Sequence, residues 1–171
     1  MMVSDARVGH GWDRHRLESV APQGGGRPLV VGGVALESDL GPVAHSDGDA
    51  LAHALTDAVL GAAGLGDIGQ MFPDTDPANE GADSIELLRA AVREAGLRGW
   101  RVQNADVTVL LERPKLGAAR EEVRRRLCGA LGVAAARVNL KAKTGEGVGV
   151  IGRLEAIEAH AVVLLVKADE L

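Results

Sequence analysis

Two hydrophobic periods alternate along this chain of 171 residues, and the alternation narrows the possible folds more than any other feature. Over residues 49–63, Leu51, Leu55, Ala58, Val59 and Ala62 recur at the spacing of a buried helix face, with Asp47 or Asp49 available to cap the start. A second helix is predicted over 84–95, with Ile85, Leu88, Val92 and Ala95 inward, Asp83 and Glu86 in capping-box spacing and Gly96 as its stop. A third, over 118–131, buries Val123, Leu127 and Leu131 and ends at Gly132. Around the helices lie segments of strand character at 7–15, 105–111, 138–143 and 156–166. Residues 28–31 and 34–36, separated by Gly32 and Gly33, have the form of a β-hairpin, where the sheet is expected to begin. Strands alternating with helices predict an α/β (α+β) fold, a mixed β-sheet with helices packed on one face.

Composition sharpens this. One Phe, two Trp and no Tyr leave the core to Ala, Val, Leu and Ile. A chain of this length buries roughly 70% of its unfolded surface in one core, so a single domain over 1–171 suffices. Within it Pro22 and Gly24 to Gly26 mark residues 18–27 as a mobile surface loop. The formal charge of -5 argues against a nucleic-acid partner. The basic run Arg124, Arg125 and Arg126 sits beside Glu121 and Glu122 and reads as a solvated helix face. Cys128 is the lone cysteine and falls on an apolar stripe, which suits a small buried hydrophobe in a reducing compartment. No apolar run approaches the roughly 20 residues of a membrane span, and no basic-then-apolar signal layout opens the chain. A cytoplasmic protein without a membrane partner is expected.

The polar residues follow their own pattern. In the segment Gly-His-Gly-Trp-Asp-Arg-His ending at His15, Asp13 and His15 are two apart and share one side of an extended backbone. They can offer an oxygen and a nitrogen to one cation, or simply polarise a strand end. Asp49, His53 and Asp57 form an i, i+4, i+8 stripe on the first helix. There His53 is either a third ligand or a surface histidine paired with Asp49 or Asp57. Two His, one carboxylate and an open position suit a Lewis-acid zinc, and Asp57 could then orient the His53 ring from behind. The loop Ala44-His45-Ser46-Asp47-Gly48-Asp49 leads into a helix N-terminus, which attracts phosphate. Capping accounts for Asp47 and Asp49 equally well, but not for His45 and Ser46.

Seven stretches carry a resemblance: G-H-G-W-D-R-H, A-H-S-D-G-D-A-L-A-H-A-L-T-D-A, G-L-G-D-I-G, F-P-D-T-D, R-P-K, K-A-K-T-G-E and I-G-R-L-E. In order and register over residues 7–167, they resemble the signatures of the 2-C-methyl-D-erythritol 2,4-cyclodiphosphate synthase family of the non-mevalonate isoprenoid pathway. The resemblance implies that Asp13, His15 and His53 bind one zinc per subunit, with His45 and Ser46 beside the phosphates. Asp67, Ile68 and Gly69, with Phe72, Pro73, Asp74, Thr75 and Asp76, would line the methylerythritol pocket. Arg113, Pro114 and Lys115, with Ala142, Lys143, Thr144, Gly145 and Glu146, would hold the cytidine diphosphate. Of these, Thr144 would share the catalytic role with His45, and Glu146 would ligate a second cation, magnesium or manganese.

The implied reaction turns the phosphorus–oxygen lyase's substrate, a cytidine diphosphate ester, back on itself: its 2-phosphate attacks the β-phosphorus, CMP leaves and a cyclic diphosphate remains. The family also implies a homotrimer with sheets around its axis and active sites between subunits. Residues matching Trp12, Val150, Arg153 and Glu155 would line the axial channel, where an isoprenoid diphosphate could fit. Three features depart from the family pattern: Lys143 and Gly145 flank Thr144 in place of a Thr-rich run, Val150 replaces a common aromatic, and the 18–27 loop is long. Two rival classes use the same residues. A zinc-dependent phosphoester hydrolase would take His45 as general base and leave a linear product, whereas a non-enzymatic trimeric binding protein would have no use for three ligands plus Glu146.

Overall fold

The computed structural model describes residues 6–168; residues 1–5 and 169–171, the ends of the expected 1–171 domain, lie outside the described residues. In chain order the elements are β1 (Ala6–Ser19), β2 (Val30–Val31), β3 (Val34–Ala35), β4 (Leu40–Pro42), α1 (Ala50–Ala63), α2 (Ile68–Met71), α3 (Ser84–Leu97), β5 (Trp100–Leu110), α4 (Arg120–Leu131), β6 (Val138–Lys143), α5 (Gly149–Gly152) and β7 (Ala156–Lys167). Five strands make one mixed sheet in the order β4-β1-β7-β5-β6. Only β5 and β6 run parallel, and α4 lies between them in the chain. The centre of the sheet is the antiparallel pairing of β1 with β7, from Ala6 opposite Val166 to Arg16 opposite Ala156. Among the described residues no helix is long and apolar enough to cross a membrane.

The expected helices and strands are present in order, with β4, α2 and α5 added and four of the expected features altered. The hairpin is not where the sheet begins, because β2 and β3 form a two-stranded sheet of their own. Gly32 and Gly33 both take positive φ in its turn, and the Gly33 N–H donates to the buried Asp49 carboxylate at 2.6 Å, which pins the hairpin to the start of α1 instead. β1 continues past His15 because Leu17 to Ser19 pair with β4, so Glu18 and Ser19 of the expected loop are strand. β5 begins at Trp100, well before residue 105, where it pairs with Lys167 across a bulge at Val102 to Asn104. Finally, α3 passes through Gly96 to Leu97. The residue that turns the chain in left-handed conformation is Gly99, whose N–H returns to the Gly96 carbonyl.

One face of the sheet carries the helices. α1 lies on β1, β7 and β5, α3 packs against α1 and β5, and α4 sits beside α3 and β6. Twelve of the fourteen residues of α1 are buried, which makes it the middle of the domain and not an amphipathic cover. Its fully buried Leu51, Leu55 and Leu60 each contribute about 1.5–3 kcal/mol by leaving water. The helix reaches this position because β1 offers only glycine beneath Ala54 and Ala58, at positions 9 and 11. A Cβ added to Gly9 would stand 1.9 Å from the Ala58 carbonyl oxygen, and one on Gly11 would stand 1.8 Å from that of Ala54. None of these three helices packs on the opposite face of the sheet, where Val8, Trp12 and Val162 are 70%, 46% and 44% exposed.

Gly11→Ala must therefore push α1 off the sheet. We expect it to lower unfolding free energy by about 3 kcal/mol in urea titrations, the upper part of the usual overpacking range. Gly61→Ala, on the exposed side of α1 with nothing within 4 Å, should instead raise it by about 0.5–1 kcal/mol. Equal effects of the two changes would contradict the close approach.

Candidate metal centre and two clefts

Successive odd-numbered residues of β1 face α1, so the strand that offers bare glycine at positions 9 and 11 offers Asp13 and His15 next. The first turn of α1 carries His53. Because helix and strand touch, the three side chains meet. The Asp13 Oδ2 atom lies 2.9 Å from His15 Nε2 and 3.1 Å from His53 Nδ1, and the two imidazole nitrogens are 3.1 Å apart. Three ligand atoms around one tetrahedral zinc would be separated by about 3.3 Å, given metal–ligand bonds near 2.0–2.1 Å. The donor set, one carboxylate and two imidazoles converging on one point with a side open to a cleft, fits a divalent cation.

The electrostatics agree. Burial alone would raise the Asp13 carboxyl, but hydrogen bonds and charge from His15 and His53 hold it well below the usual carboxylate range. Burial would lower His53, yet the Asp13 hydrogen bond and the charges of Asp13, Asp49 and Asp47 raise it above the ordinary imidazole value. The other ring nitrogen, Nε2, lies 2.8 Å from Ser84 Oγ and 3.1 Å from Ser46 Oγ. Asp57, read from the sequence as the carboxylate that orients this ring, has a different partner: it accepts the Ile68 N–H at 2.7 Å and so fixes the start of α2. Burial and the negative charges of Asp67 and Asp13 push its carboxyl up. The ring is oriented by serines. Ser84 carried no signal beyond its place at a helix start.

A cleft of about 450 Å³ opens beside the triangle and gathers Asp13, His15 and His53 with His45, Ser46, Ile68, Gly69, Phe72 and Asp74. Asn79 and Leu87 also line it. Neither belongs to a motif; a 3-10 turn over Pro77–Asn79 and the inner face of α3 bring them in. Four neighbours shape the loop and do not line the cleft. Asp67 caps α2 through the Gln70 N–H, Asp76 accepts the Ala78 N–H, the Pro73 carbonyl accepts the Asn79 amide, and Thr75 is exposed.

The remaining sequence-predicted residues lie elsewhere. A second cleft of about 450 Å³ sits past the C-terminal ends of the parallel strands β5 and β6, where open sheets commonly bind ligands. Pro114, Lys115, Ala142, Lys143, Thr144 and Glu146 line it, with Leu116, Gly117 and Arg120 added by the turn into α4. The Thr144 hydroxyl donates to Glu146, whose φ of 51° is left-handed. Gly145 donates its N–H to Glu112 at 2.7 Å, and a Cβ there would stand 2.4 Å from Gly152 N. Arg113 pairs with Asp39 at 3.2 Å and does not line the cleft. Val150 lies in α5, and Arg153 just beyond it pairs with Glu155 at 2.8 Å; neither lines either cleft. The two clefts have no lining residue in common.

Comparison with known proteins points the same way. The family model described as the YgbB family matches residues 6–166. A "2-C-methyl-D-erythritol 2,4-cyclodiphosphate synthase" of Gemmatimonas aurantiaca is 52% identical over 88% of this chain and 87% of its own length. A "Bifunctional enzyme IspD/IspF" of Anaeromyxobacter dehalogenans is also 52% identical, over 98% of this chain; the chain spans 42% of that longer protein. Among solved structures, "Structure of 2C-Methyl-D-erythritol-2,4-cyclodiphosphate Synthase (bound form CDP)" superposes with a TM-score of 0.83 at 45% identity, over 93% of this chain and 99% of the other.

Because a cation on the triangle displaces the His53 proton, its binding must weaken as pH falls through the raised His53 pKa. The loss should begin above the ordinary value of 6.5 and steepen as pH falls. Chelator competition with zinc between about pH 8.5 and pH 5.5 reads this directly. A flat profile would mean that His53 is not a ligand.

Proposed function

The chain belongs to the YgbB family, and from that premise we propose that it converts 4-diphosphocytidyl-2-C-methyl-D-erythritol 2-phosphate to 2-C-methyl-D-erythritol 2,4-cyclodiphosphate with release of CMP, a lyase step of non-mevalonate isoprenoid biosynthesis. The observation that carries the reading is the Asp13–His15–His53 triangle opening onto a cleft lined by His45, Ser46 and Phe72. Asp13, His15 and His53 would hold zinc, and Glu146 magnesium or manganese, an oxygen ligand for a hard cation. Bound there, the cations would neutralise and polarise the phosphates.

The protein's own groups have a narrower task. Attacking and leaving groups belong to one substrate molecule, so no protein nucleophile is required; what is required is a folded pose that brings the 2-phosphate in line with the β-phosphorus. His45 and Ser46, on the loop entering α1, would take the phosphates, while Ile68, Gly69 and Phe72 would enclose the methylerythritol carbons and exclude water. In the second cleft Lys115 and Lys143 would meet the negative charge of the cytidine diphosphate. Thr144 would place the leaving phosphate next to Glu146. The cytidine ligand has support in the CDP-bound structure that superposes on this chain.

Two separate clefts on one chain are half-sites that need a neighbour. The opposite sheet face with Val8, Trp12 and Val162 would supply the contact, in a homotrimer whose active sites each join the zinc half of one subunit to the nucleotide half of the next. An isoprenoid diphosphate in the axial channel would compete with Glu155 for Arg153. Buried Cys128, with its thiol pushed up by burial, suits the reducing cytoplasm.

Incubation with the cytidylyl substrate and magnesium, followed by phosphorus NMR, should show CMP and the cyclic diphosphate. A linear methylerythritol phosphate product would instead establish the hydrolase reading. His53→Ala should abolish turnover and remove most zinc while leaving the fold intact.

The shared-site arrangement makes a separate demand. Homotrimers of His53→Ala or of Glu146→Ala should both be inactive. Random equal mixing makes about three quarters of trimers mixed, each with one intact junction in three, so co-refolded variants should recover about a quarter of wild-type activity. Recovery near zero, with mixed trimers verified by native mass spectrometry, would place each site within one chain.

A further inference from the structure

The far side of the His53 ring is built as carefully as the side that faces the cation. Ser84, wholly buried at the first turn of α3, has its Oγ 2.8 Å from His53 Nε2. The Ser84 hydroxyl in turn donates to Asp47 Oδ1, and the Ser84 backbone N–H donates to Asp47 Oδ2 at 3.0 Å. Asp47 is itself held in place: its Oδ1 accepts the Asp49 N–H at 3.1 Å, and its own N–H donates to the Ala82 carbonyl at 3.1 Å. A hydroxyl has one proton, and an ionised carboxylate can only accept. The Ser84 proton is therefore committed to Asp47, and only oxygen lone pairs face His53 Nε2. That nitrogen must carry a hydrogen. Its partner Nδ1 is then the nitrogen whose lone pair can be given to a cation beside Asp13 and His15.

We propose that Ser84, fixed by Asp47, is a positioning residue that locks His53 in its Nε2–H form and aims Nδ1 at the cation. The inference rests on the reading that Asp13, His15 and His53 bind a cation, and extends it to Ser84, which lies in none of the seven motif stretches. Ser46 Oγ, 3.1 Å from the same Nε2, already accepts the Gly48 N–H at 3.2 Å and lines the cleft, so its own proton stays available to a phosphate oxygen. Ser84, by contrast, does not line the cleft and has no route to the substrate except through the ring.

The change that isolates this role is Ser84→Ala. Alanine suits a helix start, and Asp47 keeps two of its N–H donors, so the fold should survive; unfolding midpoint and circular dichroism check it. Zinc affinity, measured by chelator competition, should fall by roughly 10–100-fold, the usual effect of losing a ligand's hydrogen-bond partner. In zinc-loaded wild type, proton–nitrogen NMR should show a slowly exchanging His53 Nε2–H. In Ser84→Ala that proton should exchange much faster, and Ser84→Thr, which restores a hydroxyl, should return both readouts toward wild type. A Ser84→Ala protein that binds zinc as tightly as wild type, or keeps the slow Nε2–H, would overturn the inference alone. Wild type that takes up no zinc would overturn the metal reading beneath it, and the inference with it.

Discussion

The contact on which the structure depends is the one between α1 and β1, where backbone meets backbone. Gly9 and Gly11 leave no Cβ under Ala54 and Ala58, and the helix settles within van der Waals reach of the strand. Helix and sheet joined by larger side chains would stand farther apart, and His53 would fall short of Asp13 and His15. The same alternation that puts glycine under the helix puts Asp13 and His15 at the next two inward positions. The Asp13–His15–His53 triangle is thus a consequence of how closely two main chains approach, and the small-residue core is what permits it.

Buried polar groups then hold the loop that leads into this helix. Asp49 is fully buried, and burial pushes its carboxyl up, opposed by N–H groups of Gly33, Gly32 and Ala52. It ties the β2–β3 turn to the first turn of α1, while Asp47, two residues earlier, ties the same loop to the start of α3. No buried side-chain polar atom among the described residues lacks a partner. Arg27 adds a brace from outside, donating to the carbonyls of Ala44 and His45 at 2.8 and 3.0 Å. The loop carrying His45 and Ser46 is therefore held at both ends, which suits the phosphate-binding role proposed for it.

The sheet divides the labour between its ends and its faces. Antiparallel β1 and β7 lie on the side of the Asp13–His15–His53 triangle, and the parallel pair β5 and β6 opens the other cleft at its C-terminal end. Lys141 and Asp106, paired at 2.6 Å across β5 and β6, occupy the face opposite α1, as do Arg14 and Glu158 at 2.7 Å on β1 and β7. This face mixes ion pairs with exposed Val8, Trp12 and Val162. Such a mixture suits the subunit contact proposed for this face.

Much of this was legible in the residues themselves. The three long helices follow from apolar spacing, with Asp at the starts of α1 and α3 and Gly132 at the end of α4, and Asp13, His15 and His53 stand out as candidate ligands because metal chemistry needs those residue types. Where reading failed, the cause was distance in sequence. β1 runs on to Ser19 because β4 is there to pair with it, and β5 begins at Trp100 because β7 extends to Lys167. Asp57 shares a helix stripe with His53, yet its carboxylate went to Ile68 because α2 folds back over it. Periodicity, capping and donor identity are properties of a few adjacent residues, so the sequence by itself determined the elements and the candidate donor residues. Only the tertiary structure decided that Ser84 stands behind His53, that Asn79 and Leu87 line its cleft, and that the two clefts stay apart, because packing between remote segments chooses those neighbours.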